Sequence, residues 1–402
     1  MSLSILLYLS CDTILERKFL LEDKLRNYLN KMIKVNGSDL HLKAGSFVHM
    51  RVSGEILALK DKKLTNEDML NIAEVIVTPD QLSELIKNKE LDCAYSLDKT
   101  HRFRVNFFYQ INGLSAVLRL IPNTILSTDA LGLPEIVKEF SDLNHGLLLV
   151  TGVTGSGKST TLAAILDRIN KHKRKHIISI EDPVEYIHEE HNCLVSQRSI
   201  GSSTHSFSNA LRAALREDID IVFIGELRDL ETAEIAIHAA STGHLVVSTL
   251  HTLDAKETIT RIVGMFPKEE QDRIRITLSF VLEGIISQRL VNTIEGKRIP
   301  AVEVMKKTQR ISELIRENRD NEILDSIAKG KDIYGSQSFD QSLFELYTDG
   351  KISQSMSLRY ATNASDMNLM MQGIRQASGR AMVTENTEKN DSFFEFKNKE
   401  KG

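Results

Sequence analysis

Residues Gly152 to Ser159 read Gly-Val-Thr-Gly-Ser-Gly-Lys-Ser, which fits the spacing G-x-x-x-x-G-K-[ST]. Those residue types at that spacing suit a polyphosphate. Glycines let successive backbone N–H groups turn inward around one anion without side-chain clash. A helix opening near Lys158 aims the positive end of its dipole at the same anion. Lys158 can then reach the β- and γ-phosphates, and the Ser159 hydroxyl can ligate Mg²⁺. The candidate nucleotide-binding residues are Gly152, Val153, Thr154, Gly155, Ser156, Gly157, Lys158, Ser159 and Thr160, with ATP and Mg²⁺ as the cofactors.

The motif needs a strand before it and a helix after it. Leu147 to Val150 supplies a short buried-strand signal, and Lys158 to Ala164 opens a helical pattern. Further short, β-branched runs at His176–Ile180, Ile219–Ile224 and Leu245–Thr249 read as strands buried on both faces. Helical patterns lie between and beyond them at 207–216, 230–241, 255–265 and 268–289, and the sheet reads as complete after Arg289. Strand and helix alternate, which predicts a mostly parallel sheet.

Ligands of such sheets bind just past the strand ends, and three polar clusters fall beside these strands. They are Glu181-Asp182-Pro183-Val184-Glu185, Gly225-Glu226-Leu227-Arg228-Asp229, and Leu250-His251-Thr252 with Thr242-Gly243-His244 just ahead of its strand. Asp220 to Glu226 resembles a Walker B strand whose carboxylate is displaced to a Gly-Glu ending. Glu226 could orient or deprotonate an attacking water, directly or through the Mg²⁺ shell, which makes it both a catalytic and a metal candidate. The other reading is a helix-cap acid paired with Arg228. Glu181 and Glu185 fit the metal or water shell or ion pairs, and His244 and His251 fit the site or a structural role.

The N-terminal third has a different texture. Residues 1–30 read as a helical lead-in, and 31–121 mix alternating strands, a Ser53-Gly54 hairpin turn and two helices, an α+β domain. Phe103, Val105 and Phe107 share one face of a strand, while Arg102 and Arg104 share the other, with Arg119 in the next strand. Such a cationic face is either solvated or turned towards a nucleotide, as arginine fingers are. Residues 122–145 read as a linker, 146–300 as the nucleotide-binding core, 301–370 as a small all-helical appendage and 371–402 as a polar, disordered tail.

The balance of 51 Lys and Arg against 55 Asp and Glu gives a net charge of −4, which argues against a nucleic-acid translocase, as does the lack of a basic stripe interleaved with aromatics. Cys11, Cys93 and Cys193 are scattered without C-x-x-C spacing, as in a reducing cytosol. The apolar run Ile5 to Leu9 is too short to span a bilayer, so a cytoplasmic protein with no direct membrane span is expected.

Taken in order, the phosphate loop, Glu181 to Tyr186, Ile224 to Asp229 and Thr242 to Thr252 resemble the Walker A, Asp, Walker B and His boxes of the secretion-ATPase superfamily. Ser38 to Leu42, Arg102 to Asn106, Leu131 to Pro134 and Ala213 to Asp218 resemble the type IV pilus retraction (twitching-motility, PilT-like) ATPases within it. The resemblance runs from about Val35 to Met370. It implies an α/β fold, a RecA-like P-loop core with an N-terminal PAS-like domain and a C-terminal helical appendage. It implies a homo-hexamer in which Arg102, Arg104 and Arg119 approach the phosphates, with Glu181 and His251 supporting catalysis. It further implies work at the cytoplasmic face of the inner membrane on the pilus platform protein, with a paralogous pilus ATPase as a possible partner. The lack of a cysteine-pair metal motif and of a longer N-terminal region favours retraction over assembly, leaving a primary motor, an accessory PilU-like paralogue or a related secretion motor as alternatives. A nucleotide-sensing protein with little turnover is the reading against which Glu226 argues.

Overall fold

The computed structural model describes residues 21–377 apart from Ser53, Lys99 and Asn123. The remainder of the lead-in and of the tail, Cys11, the run Ile5 to Leu9 and half of the Ser53-Gly54 turn lie outside the described residues. Among the described residues, no helix is long and apolar enough to cross a membrane.

Helix α1 (21–34) buries Leu21, Leu25, Tyr28, Leu29 and Met32, a stripe at helical spacing. It is followed by strands β1 (Gly37–Lys43), β2 (Val48–Val52) and β3 (Glu55–Leu59), helices α2 (Asn66–Ile76) and α3 (Pro79–Asn88), and strands β4 (Glu90–Ser96), β5 (Arg102–Gln110) and β6 (Gly113–Ile121). Thr65 and Thr78 close the starts of α2 and α3 with capping boxes. The strands form a six-stranded antiparallel sheet ordered β3-β2-β1-β6-β5-β4. One face carries Phe103, Val105, Phe107, Leu118, Leu40 and Leu42 into a core shared with α1 and α2. Arg102 and Arg104 lie on the other, as the alternation along β5 predicts.

Short α4 (Ile136–Phe140) precedes the second unit. There β7 (Gly146–Thr151), α5 (Lys158–His172), β8 (His176–Glu181), β9 (Leu194–Ser199), α6 (Phe207–Ala214), β10 (Ile221–Ile224), α7 (Leu230–Ser241), β11 (Leu245–Leu250), α8 (Ala255–Val263), α9 (Gln271–Val281), β12 (Leu282–Asn292) and β13 (Arg298–Lys306) follow in turn. The seven strands are ordered β13-β12-β7-β11-β10-β8-β9, parallel throughout except for the β12–β13 pair. Residues of α5 pack Leu162, Ile165, Leu166 and Ile169 on one face, and α6 to α9 cover the other. Both faces are thus dry, which is why β7, β10 and β11 are buried along their whole length.

The structure corrects two expectations and adds one strand. The helix expected over 268–289 is one turn of 3₁₀ helix, then α9, and from Leu282 a strand. The sheet is not complete at Arg289: β12 and β13 extend it, and β13 runs through residue 300. Strand β9, at the sheet's other edge, was not foreseen.

Helices α10 (Gln309–Arg316), α11 (Ile323–Lys329), α12 (Lys331–Tyr334), α13 (Phe339–Thr348), α14 (Gln354–Tyr360) and α15 (Ala364–Ala377) complete the described chain. Leu343, Leu346, Ile352 and Met367 form a small core with Val291 and Ala301 of the β12–β13 pair. Buried Arg275 of α9 grips Asp320 through both guanidinium ends, each at 2.8 Å, fixing this helical unit to α9.

Candidate active site

The phosphate loop leaves the end of β7 and closes on Gly157, the N-cap of α5. Gly157 has φ +91°, and a Cβ there would stand 2.7 Å from the amide nitrogen of Gln288, so the position needs glycine on both counts. No side chain caps α5, which leaves its first N–H groups facing the loop, as an anion requires. The Ser156 hydroxyl is buried in the loop without a hydrogen-bond partner. These features fit a bound phosphate group.

Lys158 is buried, and its Nζ donates to the carbonyl oxygens of Gly152 at 2.7 Å and Val153 at 3.2 Å. Burial pulls its pKa down, opposed by the nearby carboxylates of Glu226 and Glu185. Its third neighbour is His251 Nδ1 at 3.4 Å. An ammonium only donates, so this contact assigns Nδ1 as the acceptor and puts the ring proton on Nε2. Nε2 lies 3.4 Å from Glu226 Oε1. Lys158, His251 and Glu226, at the ends of β7, β11 and β10, therefore form one chain of contacts.

Glu226 is held on its other oxygen as well, because Arg228 Nε donates to Oε2 at 2.7 Å while its NH1 lies 3.6 Å from Asp182. The ion pair raised as the alternative reading of Glu226 thus exists beside the contact with the site. Asp229, not Glu226, caps the following helix.

Glu181 lies at the end of β8, buried, with Ser179 Oγ donating to Oε1 at 2.7 Å and the Glu185 N–H to Oε2 at 3.1 Å. Burial pushes its pKa up to about 7 against those hydrogen bonds. Thr160 pairs with the Tyr186 hydroxyl at 2.9 Å, joining α5 to the same turn. His244 sits at the start of β11, against the Ala239 carbonyl, at the opposite end of the strand from His251. The arginines of the first sheet are engaged within it: Arg119 Nε donates to buried Asp39 at 2.7 Å, and Arg104 lies 3.8 Å from Asp92. Arg102 Nε is buried without a partner.

Gln288 was missed. It falls within the helix expected over 268–289 but stands on β12, where its Oε1 accepts from Thr161 Oγ1 at 2.7 Å and its Nε2 donates to the Ser156 carbonyl at 2.8 Å. The only advance signal was an amide embedded in an apolar run, which does not distinguish strand from helix.

A family model described as "Type II/IV secretion system protein" matches residues 16–389. The chain belongs to that family. Within it, the chain is 44% identical over 321 residues to the type IV pilus retraction ATPase PilT of Pseudomonas aeruginosa, covering 80% of this chain and 93% of that protein. It is 39% identical over 344 residues to the type IV pilus ATPase PilU of the same organism, covering 85% of this chain and 90% of that one. A crystal structure of the pilus retraction motor PilT with bound ADP superposes with a TM-score of 0.80 at 42% identity, covering 86% of this chain and 99% of that chain. This secretion-family chain is an ATP-hydrolysing enzyme with the α/β architecture of that motor.

Proposed function

We infer that this protein is the ATPase motor of type IV pilus retraction. The observation that carries the reading is the contact chain Lys158–His251–Glu226 at the mouth of a phosphate loop, in a chain so similar to a retraction ATPase. Lys158 binds the transferred phosphate, and the loop amides and the open end of α5 hold the rest of the polyphosphate. Glu226 takes the proton of the attacking water, with His251 setting the carboxylate's position and Arg228 restraining its far oxygen. Glu181 holds the turn 182–185 beside the site.

No group of three or more His, Cys, Asp or Glu suited to a metal occurs among the described residues. Mg²⁺ is bound by few protein ligands together with substrate phosphates. Ser159 and Glu226 would hold it, and when bound it neutralises charge building on the phosphate oxygens.

The working unit in this reading is a homo-hexamer in which Arg102, Arg104 and Arg119 meet a nucleotide. It acts on the platform protein at the cytoplasmic face of the inner membrane. The likeness to PilU keeps an accessory role, with a paralogous ATPase as partner, as the second reading.

The test is steady-state ATP hydrolysis against protein concentration, with Glu226→Gln alongside. Activity that rises steeply with assembly and is lost in the variant supports a self-sufficient ring motor. Nucleotide binding with negligible turnover at every concentration favours the accessory role.

A further inference from the structure

Strand β12 carries two adjacent residues whose side chains engage different parts of the protein. Gln288, 3% exposed, uses both ends of its amide on the nucleotide site, through Thr161 of α5 and the Ser156 carbonyl of the phosphate loop. Arg289 turns to the C-terminal helices, since neighbouring strand residues point to opposite faces. Its NH1 donates to the Tyr360 carbonyl at the end of α14 at 3.0 Å, and its guanidinium carbon lies 3.9 Å above the ring of buried Phe339, the first residue of α13. A planar guanidinium stacked on an aromatic ring while also donating a hydrogen bond is a directional joint, one that lysine cannot reproduce.

We propose that Gln288 and Arg289 couple the nucleotide site to the C-terminal helices, so that the loop's hold on a nucleotide depends on whether α13 and α14 are seated. This rests on the phosphate-loop reading above. The physical reasoning is local. Both amide bonds of Gln288 are buried, so a small displacement of β12 leaves the Ser156 carbonyl or the Thr161 hydroxyl unpaired, and an unpaired buried group is costly. The β12 main chain links Gln288 to Arg289 with no intervening residue, so a shift of the helices that drags Arg289 is felt at Gln288. Gln288 is accordingly a positioning residue for the phosphate loop, and Arg289 its counterpart on the helical side. Coupling of this kind is reciprocal: helices that favour nucleotide binding must themselves be steadied by the nucleotide.

The experiment uses the full chain, with ADP as the probe. In the wild type, saturating ADP is expected to slow amide hydrogen exchange in residues 339–360, and Gln288→Leu is expected to abolish that effect. Arg289→Leu, which alters no group on the phosphate loop, should weaken ADP binding by about fivefold or more, within the range typical of coupled sites. Arg289→Lys should fall short of full rescue, because it keeps the charge and loses the stack. A folded Arg289→Leu with wild-type ADP affinity would overturn the proposal. So would unchanged exchange in residues 339–360 of the wild type, a comparison that needs no variant to fold. Wild-type protein that binds no ADP would instead overturn the nucleotide-site reading, and this proposal with it.

Discussion

Replacing Glu181 by glutamine separates a carboxylate that positions from one that reacts. The Glu181 carboxyl is 6% exposed, and burial raises its pKa from the ordinary 4.5 to about 7. The native state therefore binds this proton more tightly than the unfolded chain does. Its contribution to stability is complete below pH 4.5 and is lost as the pH rises through 7. The gap corresponds to about 3 kcal/mol, at about 1.36 kcal/mol per pH unit. Glutamine does not titrate, and with its oxygen on the Glu185 N–H its NH₂ can donate to the Ser179 hydroxyl, which turns to accept, so the pH-independent cost of the substitution is small. Urea unfolding of both proteins at a series of pH values should give curves that separate as the pH rises. The wild type should lose about 3 kcal/mol relative to the variant between pH 4.5 and 7.5. Turnover of the folded variant should fall by no more than about tenfold, against about a hundredfold or more for loss of a general base. Parallel stability curves would refute the buried-carboxyl argument, and a turnover loss on the larger scale would make Glu181 part of the chemistry.

Four further outcomes follow from the geometry. Lys158→Ala should weaken ATP binding by about thirtyfold or more, the scale of a charge-assisted contact, in a fluorescent-nucleotide titration; unchanged affinity would remove Lys158 from the phosphate site. Glu226→Gln should retain binding and lose turnover by about 10²- to 10⁴-fold, and wild-type turnover would mean that another carboxylate acts. Arg104→Ala should lower turnover only under conditions where rings assemble and leave the melting temperature unchanged; a fully active monomer would end the finger assignment. Arg275→Leu should destabilise the protein by about 3–5 kcal/mol, because it strands buried Asp320 without its partner, and a shift below about 1 kcal/mol would show that the pair is dispensable.

The features legible in the sequence were those written locally. Gly152 to Ser159 carries its own loop geometry, and the apolar runs before it and at 245–250 are short enough to exclude a helix. The alternation of Phe103, Val105 and Phe107 with Arg102 and Arg104 likewise fixed the faces of β5. Beyond Val281 that logic failed. Leu278 to Leu290 is an apolar run with small and polar breaks, and periodicity alone does not separate a buried strand from a buried helix. The strand wins there because β7 offers it an unpaired edge, a tertiary fact. Strand β9 was missed for the opposite reason: Leu194 to Ser199 is mostly polar, as suits an exposed edge, and is recruited by backbone pairing with β8. The union of Lys158 with His251, 93 positions apart, and the clamp of Gln288 on Thr161, 127 apart, exist only through the strand order. No spacing rule reaches that far.

The polarity of the parallel strands has a practical consequence for watching this motor work. Lys158, Glu226 and His251 all stand past the ends at which β7, β10 and β11 finish, whereas the turn at Gly243 lies at the end where β11 begins. Six residues of strand separate the two, about 20 Å at the rise of an extended chain. The turn is open, since a side chain at Gly243 would meet nothing within 4 Å, but the φ of +103° there suits only glycine, so an attachment belongs beside it at exposed Ser241, the last residue of α7. A dye, a bead tether or a short epitope inserted there would report on the core while remaining a full strand length from the phosphate loop. The far rim of the sheet is therefore the natural handle for single-molecule work on this protein.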